Sequence, residues 1–176
     1  MQLGFEKDCF IGLVFDIHDF TYNKDSGLRF LKNSTIKFLS DLDKGHKIFV
    51  SGNDNLPKTH GQSICQISNF KIEDKHNVNQ MLRDALDGIG VQHNCKKYIF
   101  IYTNKFNPKQ SYMYENIMTL NENKGFDCFF HVFEFGKITP DLQTIVHSKN
   151  ANYYGITDMK YFLQILDDIK KEIKNG

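Results

Sequence analysis

Apolar residues fall along this chain in two alternating patterns. The first is continuous: Cys9-Phe-Ile-Gly-Leu-Val-Phe15 is apolar throughout, rich in β-formers and closed by Asp16, which is how a strand buried on both faces reads. His46-Lys-Ile-Phe-Val-Ser-Gly52 and Lys97-Tyr-Ile-Phe-Ile-Tyr-Thr103 repeat it, Phe126 to Phe135 forms a long aromatic strand, and Tyr153-Tyr-Gly-Ile156 a short one. The second pattern has helical spacing. Val78, Met81, Leu82, Ala85, Leu86 and Ile89 match i, i+3, i+4, i+7 without a miss, with Asp74 before them as a cap. Leu28, Leu31, Thr35, Phe38, Leu39 and Leu42 predict a helix stopped by Gly45, and further helices are predicted over Tyr112 to Glu122, Leu142 to Ser148 and Tyr161 to Lys174. Asn53 to Gly61, carrying Asp54-Asn55 and Pro57, reads as a loop, as does Asn104-Lys-Phe-Asn-Pro108. Ser63-Ile-Cys-Gln-Ile-Ser-Asn-Phe70 alternates weakly and reads as an edge strand.

Strands alternating with helices specify an α/β fold, a doubly wound and mostly parallel sheet with one antiparallel edge strand and helices on both faces. No repeat, low-complexity stretch or linker interrupts residues 1–176, so they are read as a single domain. The 16 Phe and 14% aromatic content supply its core. Basic and acidic side chains nearly cancel, 22 against 21, so the electrostatic footprint of a duplex nucleic-acid binder is missing. No apolar run approaches the roughly 20 residues of a membrane span. The start of the chain lacks a secretory pattern. Cys9, Cys65, Cys95 and Cys128 are scattered with no Cys-x-x-Cys pair, and read as reduced, mostly buried thiols. A cytoplasmic location is the expectation.

In such sheets ligands sit at the carboxyl ends of the strands, near the switch in strand order. Asp16-Ile-His18-Asp19-Phe20 follows the first strand, Lys75-His76-Asn77 opens the best helix, and Thr103-Asn104-Lys105 follows the fourth strand of the expected order. No Gly-x-Ser-x-Gly elbow is present, which removes support for a serine hydrolase. Asp16 to Phe20 contains no glycine, so a phosphate-cradling loop is not encoded there.

The element order, with its acidic end to the first strand, resembles the von Willebrand factor A (vWA) family along nearly the whole chain. Leu142-Gln-Thr-Ile-Val146 through Asn152-Tyr-Tyr154 and Thr157-Asp158 to Phe162-Leu-Gln-Ile-Leu166 is similar to the family's closing helix, strand and helix, and Phe133-Glu-Phe-Gly136 to the end of its fifth strand. The resemblance implies a metal-ion-dependent adhesion site of the form Asp-x-Ser-x-Ser, a Thr at a helix start and an Asp after the fourth strand. This chain departs from it. Asp16 matches the first Asp, but His18 and Phe20 stand where the two Ser belong, His76 at the Thr position and Asn104 at the final Asp. One carboxylate, one amide and two imidazoles suit hard Mg²⁺ poorly.

The expectation is therefore a non-catalytic protein-binding module with a degenerate site and no cofactor. Its partner, a protein, would be bound at the loops after Asp16, Asn53 and Asn104, with Phe20, Tyr22, Phe106 and Tyr112 as apolar anchors. The alternative is a metal-dependent hydrolase or nuclease that uses Asp16, Asp19, His18 and His76, a divalent ion being held by Asp16, His18 and His76 with Asn104 completing the set. His131, within an aromatic strand, is expected to be a satisfied core histidine. His46, His60, His93 and His147 are read as surface or loop residues, and Asp167-Asp168 with Lys170-Lys171 as ion pairs on the last helix.

Overall fold

The computed structural model describes residues 9–17, 24–42, 45–51, 59–69, 77–104 and 107–175. The continuous apolar runs form a sheet of five parallel strands: β1 (Cys9–Asp16), β2 (Lys47–Val50), β3 (Lys96–Thr103), β4 (Phe129–Phe135) and β5 (Ala151–Ile156), in the order β2-β1-β3-β4-β5. Between them run α1 (Lys24–Ser40), α2 (His60–Asn69), α3 (Val78–Gly90), α4 (Ser111–Asn123), α5 (Pro140–His147) and α6 (Met159–Asn175). Strands of this sheet are apolar on both sides because helices cover both sides. One core lies between the sheet and α1, α2 and α6, built on Ile11, Leu13, Phe15, Phe100 and Phe133. The other lies against α3, α4 and α5, built on Val14, Ile99, Ile101, Phe130 and Val132.

The doubly wound α/β expectation holds, with one correction. The segment expected as an antiparallel edge strand is helix α2, and every strand pairing among the described residues is parallel. The reason is legible in the side chains. Ser63 and Ile67 are the fully buried positions of α2, and their i, i+4 spacing is one face of a helix rather than one face of a strand. Thr59-His-Gly-Gln62 also has the sequence of a capping box and makes one half of it: the Thr59 backbone N–H and hydroxyl both donate to Gln62 Oε1 at 3.2 Å, and the Thr59 carbonyl accepts from Ser63 N at 3.0 Å. Helix α3, in contrast, begins where its periodicity says, but its cap is Asn77, whose side chain accepts from Gln80 N, and not Asp74, which lies outside the described residues.

Close packing fixes β1 under α3. A Cβ built on Gly12 would stand 3.2 Å from Ile89 Cδ1 and 3.6 Å from Ile99 Cγ1, so the bare backbone at this position is what lets α3 approach β1. On the opposite face a row of rings crosses four strands. Phe15, Tyr102, Phe133 and Tyr154 are register partners on β1, β3, β4 and β5, with centroids 5.2, 5.2 and 4.9 Å apart and stacked planes. Each such pair contributes about 0.5–1.5 kcal/mol beyond its area burial. The row ties the strands together one or two residues before their carboxyl ends.

Candidate functional site

Because side chains alternate across a strand, the residues that follow the ring row point the other way, toward α3, α4 and α5. They are Asp16 on β1, Thr103 on β3, Glu134 on β4 and Gly155 on β5, again consecutive register partners. The carboxyl edge of the sheet thus carries a polar row, Asp16-Thr103-Glu134, in which all three residues are fully buried. Its first pair sits between β1 and β3, where strand order reverses, the position at which open α/β sheets place their ligands.

Buried carboxylates must be paired or hydrogen-bonded, and both of these are, in different ways. Asp16 Oδ2 accepts from the Thr103 hydroxyl at 3.0 Å and from the Tyr114 phenol at 2.7 Å. Tyr114 reaches it from α4, whose buried stripe is Tyr114, Ile117, Met118 and Asn121. Its ring is fully buried, and burial together with the Asp16 charge raises the phenol pKa well above its ordinary value, so it stays a proton donor. Glu134 faces the next helix: Oε1 accepts from Thr139 N at 2.6 Å and the Tyr153 phenol at 2.7 Å, and Oε2 from the Thr139 hydroxyl at 2.8 Å. Thr139 is the residue before α5, so Glu134 anchors that helix start to the sheet. Burial and the Glu134 carboxylate both push the Tyr153 phenol up.

Of the residues expected at the site, Asp16 and Asn104 are in place at the ends of β1 and β3, Asp16 fully buried and Asn104 half-buried. His18, Asp19, Phe20, Tyr22, His76 and Phe106 lie outside the described residues. Tyr112 is 55% exposed at the start of α4, two residues before the inward-pointing Tyr114. Among the described residues no group of three His, Cys, Asp or Glu side chains is arranged to hold an ion. Tyr114, Glu134, Thr139 and Tyr153 were not singled out from sequence. The signal for Tyr114 was available, since with Ile117, Met118 and Asn121 it completes an i, i+3, i+4, i+7 stripe, and a tyrosine on a buried stripe needs an acceptor for its hydroxyl.

Two histidines diverge from each other. His131 is buried, with Nδ1 3.0 Å from the Tyr154 phenol, and is ringed by Tyr98, Phe100, Phe129 and Tyr154 at 5.0 to 6.0 Å; desolvation lowers its pKa to about 3. His46, expected at the surface, is instead 1% exposed. Its Nδ1 accepts from the Cys9 backbone N–H at 3.0 Å and lies 3.1 Å from Cys9 Sγ. The loop before β2 is short enough to tuck this ring against the first residue of β1, which a reading by local polarity misses.

No family model matches the sequence, and no curated protein does. Solved structures do match. A von Willebrand factor type A protein from Catenulispora acidiphila superposes with a TM-score of 0.72 at 8% identity over 96% of this chain and 43% of its own. The vWA domain of SpRpn10 superposes with a TM-score of 0.61 at 9% identity over 91% of this chain and 93% of its own. The fold is that of a vWA domain. The PilB minor pilin from Streptococcus sanguinis matches it too, with a TM-score of 0.69 at 12% identity over 97% of this chain, which spans 62% of the pilin's length. As a vWA-like domain the chain carries Asp16 at the end of β1 and Asn104 after β3. It lacks, among the described residues, the antiparallel edge strand expected from the alternation after Ser63. No described helix is long and apolar enough to cross a membrane.

Proposed function

We propose that this vWA-like domain is a non-catalytic protein–protein interaction module that engages its partner through the loops at the carboxyl ends of the strands and does so without a tightly bound magnesium ion. The observation that carries the reading is the state of Asp16. Its carboxylate is fully buried, and one oxygen accepts from both Thr103 and Tyr114. An ion bridging this domain to a partner would need that carboxylate at the surface, and Mg²⁺ loses its water reluctantly even to well-placed carboxylates. The two described hydroxyls at Asp16 point their protons at the carboxylate, which is hydrogen bonding to an anion rather than ligation of a cation. These described side chains support a reading without a tightly bound ion.

Recognition then rests on the side chains around the site. Tyr112 is an exposed aromatic at the start of α4, just after the turn at Pro108–Gln110 that follows β3. A rigid, amphipathic ring on a helix start is a good anchor for a protein surface. Phe20, Tyr22 and Phe106 belong to the same loops in sequence and are proposed to join it. The test is capture of partners from source cells with wild-type protein and with Tyr112→Ala and Phe20→Ala/Phe106→Ala variants, each with and without chelator. The reading requires a specific partner lost in the variants and retained in chelator. Equal recovery with all variants removes this edge from consideration, and loss in chelator alone removes the metal-free mode.

A further inference from the structure

The flank of α6 carries an apolar feature that the core does not use. The helix buries Phe162, Ile165, Leu166, Ile169 and Ile173 against the sheet, yet Met159 and Leu163, one turn apart, are 41% and 43% exposed. They stand off the buried stripe, and Leu163 borders a groove of about 350 Å³ between α6 and α1 whose floor is Phe38 and Leu166. Its charges are unevenly matched. Asp41 and Asp167 are both held by Lys170, at 3.2 and 3.1 Å, and Asp167 also by Lys171 at 3.1 Å. Lys37 and Lys160, which line the same groove from opposite walls, have no acidic partner among the described residues. The acids are neutralised and two ammonium groups are left over an apolar floor.

We propose that the α1–α6 groove docks an acidic amphipathic helix of a protein partner, its apolar stripe on Phe38, Leu163 and Leu166 and its carboxylates beside Lys37 and Lys160. A gap between two roughly side-by-side helices accepts a third by ridge-into-groove packing, and short amphipathic helices are read by such grooves through a few apolar anchors. The volume is at the small end of ligand-sized clefts, so the anchors are few and charge complementarity sets the choice of partner. The groove shares no residue with the loop edge proposed above, so the two readings stand or fall separately.

The experiment is fluorescence anisotropy of the full chain with two labelled helical peptides that share one leucine stripe, one with glutamates on its polar face and one with lysines. The glutamate peptide should bind saturably and the lysine peptide should not. Affinity should fall about tenfold or more in Lys37→Glu/Lys160→Glu and by a similar factor in Leu163→Gln, with raised salt weakening the wild type and Leu163→Gln but not the charge variant. All three side chains are exposed, and thermal midpoints of the variants should match the wild type. Absence of saturable binding, equal binding of both peptides, or affinities untouched in both variants overturns the proposal. So does self-association of the wild type that is abolished in the charge variant, which would assign the groove to a second copy of this chain.

Discussion

Tyr114→Phe isolates the interaction on which the reading of the site depends, since it removes one oxygen and leaves the ring in place. The phenol is fully buried and donates at 2.7 Å to a fully buried carboxylate. Hydrogen bonds to charged groups contribute about 1.5–3 kcal/mol net, and Asp16 keeps only the Thr103 hydroxyl of the pair once the phenol is gone. A loss of about 2 kcal/mol is expected, which for a chain of this size lowers the thermal midpoint by about 4–8 °C. Tyr112→Phe, on an exposed ring, is the matched control and should stay within about 0.5 kcal/mol. Urea unfolding followed by circular dichroism measures both, with the slope unchanged if the denatured state is unaffected. A double-mutant cycle with Asp16→Asn tests the coupling itself. If Tyr114→Phe is as stable as wild type, or its effect adds to that of Asp16→Asn with no interaction energy, Asp16 is not held from within and the account of the site fails.

Other outcomes follow from the buried titratable groups and the proposed surface. His131 has a folded pKa of about 3 against an ordinary 6.5, so below about pH 6.5 the unfolded chain takes up a proton that the folded one refuses. Stability is full above that pH and falls as pH drops through the window, and His131→Phe should flatten this acid limb in pH-dependent urea titrations. Tyr102 and Tyr114 have phenols raised by burial. Their contribution is present below about pH 10 and is lost as pH rises beyond it, when the unfolded chain ionises first; thermal melts from neutral to alkaline pH should show the decline. Glu134→Gln keeps the shape but turns one acceptor into a donor facing Thr139 or Tyr153, and should cost about 1–3 kcal/mol, with hydrogen exchange rising first at the start of α5. Tyr112→Ala should leave stability nearly unchanged while reducing partner capture.

How much of this was legible beforehand depended on whether neighbouring residues or distant ones decided the outcome. The strands ending at Asp16, Thr103 and Phe135 were plain because burial on both faces makes a run apolar without a break, and α3 because six apolar positions repeat at helical spacing. The segment from Ser63 was misread because Ile64, Cys65 and Ile67 suit a strand one by one, whereas Ser63, small and polar, is what the helix buries. Its capping box was there to be read in Thr59 and Gln62. Asp16 was correctly placed at the switch point, but its partners come from 87 and 98 residues further along the chain, and no spacing rule connects them. His46 was hidden for the same reason, since its contact with Cys9 exists only because β1 and β2 are neighbours in the sheet.

The most direct measurement is isothermal titration of chelator-stripped protein with Mg²⁺ and, separately, Zn²⁺, on the wild type, Asp16→Ala and His76→Ala. With Asp16 committed to Thr103 and Tyr114, no saturable heat is expected for either ion at micromolar concentration, in any of the three. Micromolar or tighter binding to the wild type that disappears in Asp16→Ala or His76→Ala would contradict the account and restore a working metal site to this edge of the sheet.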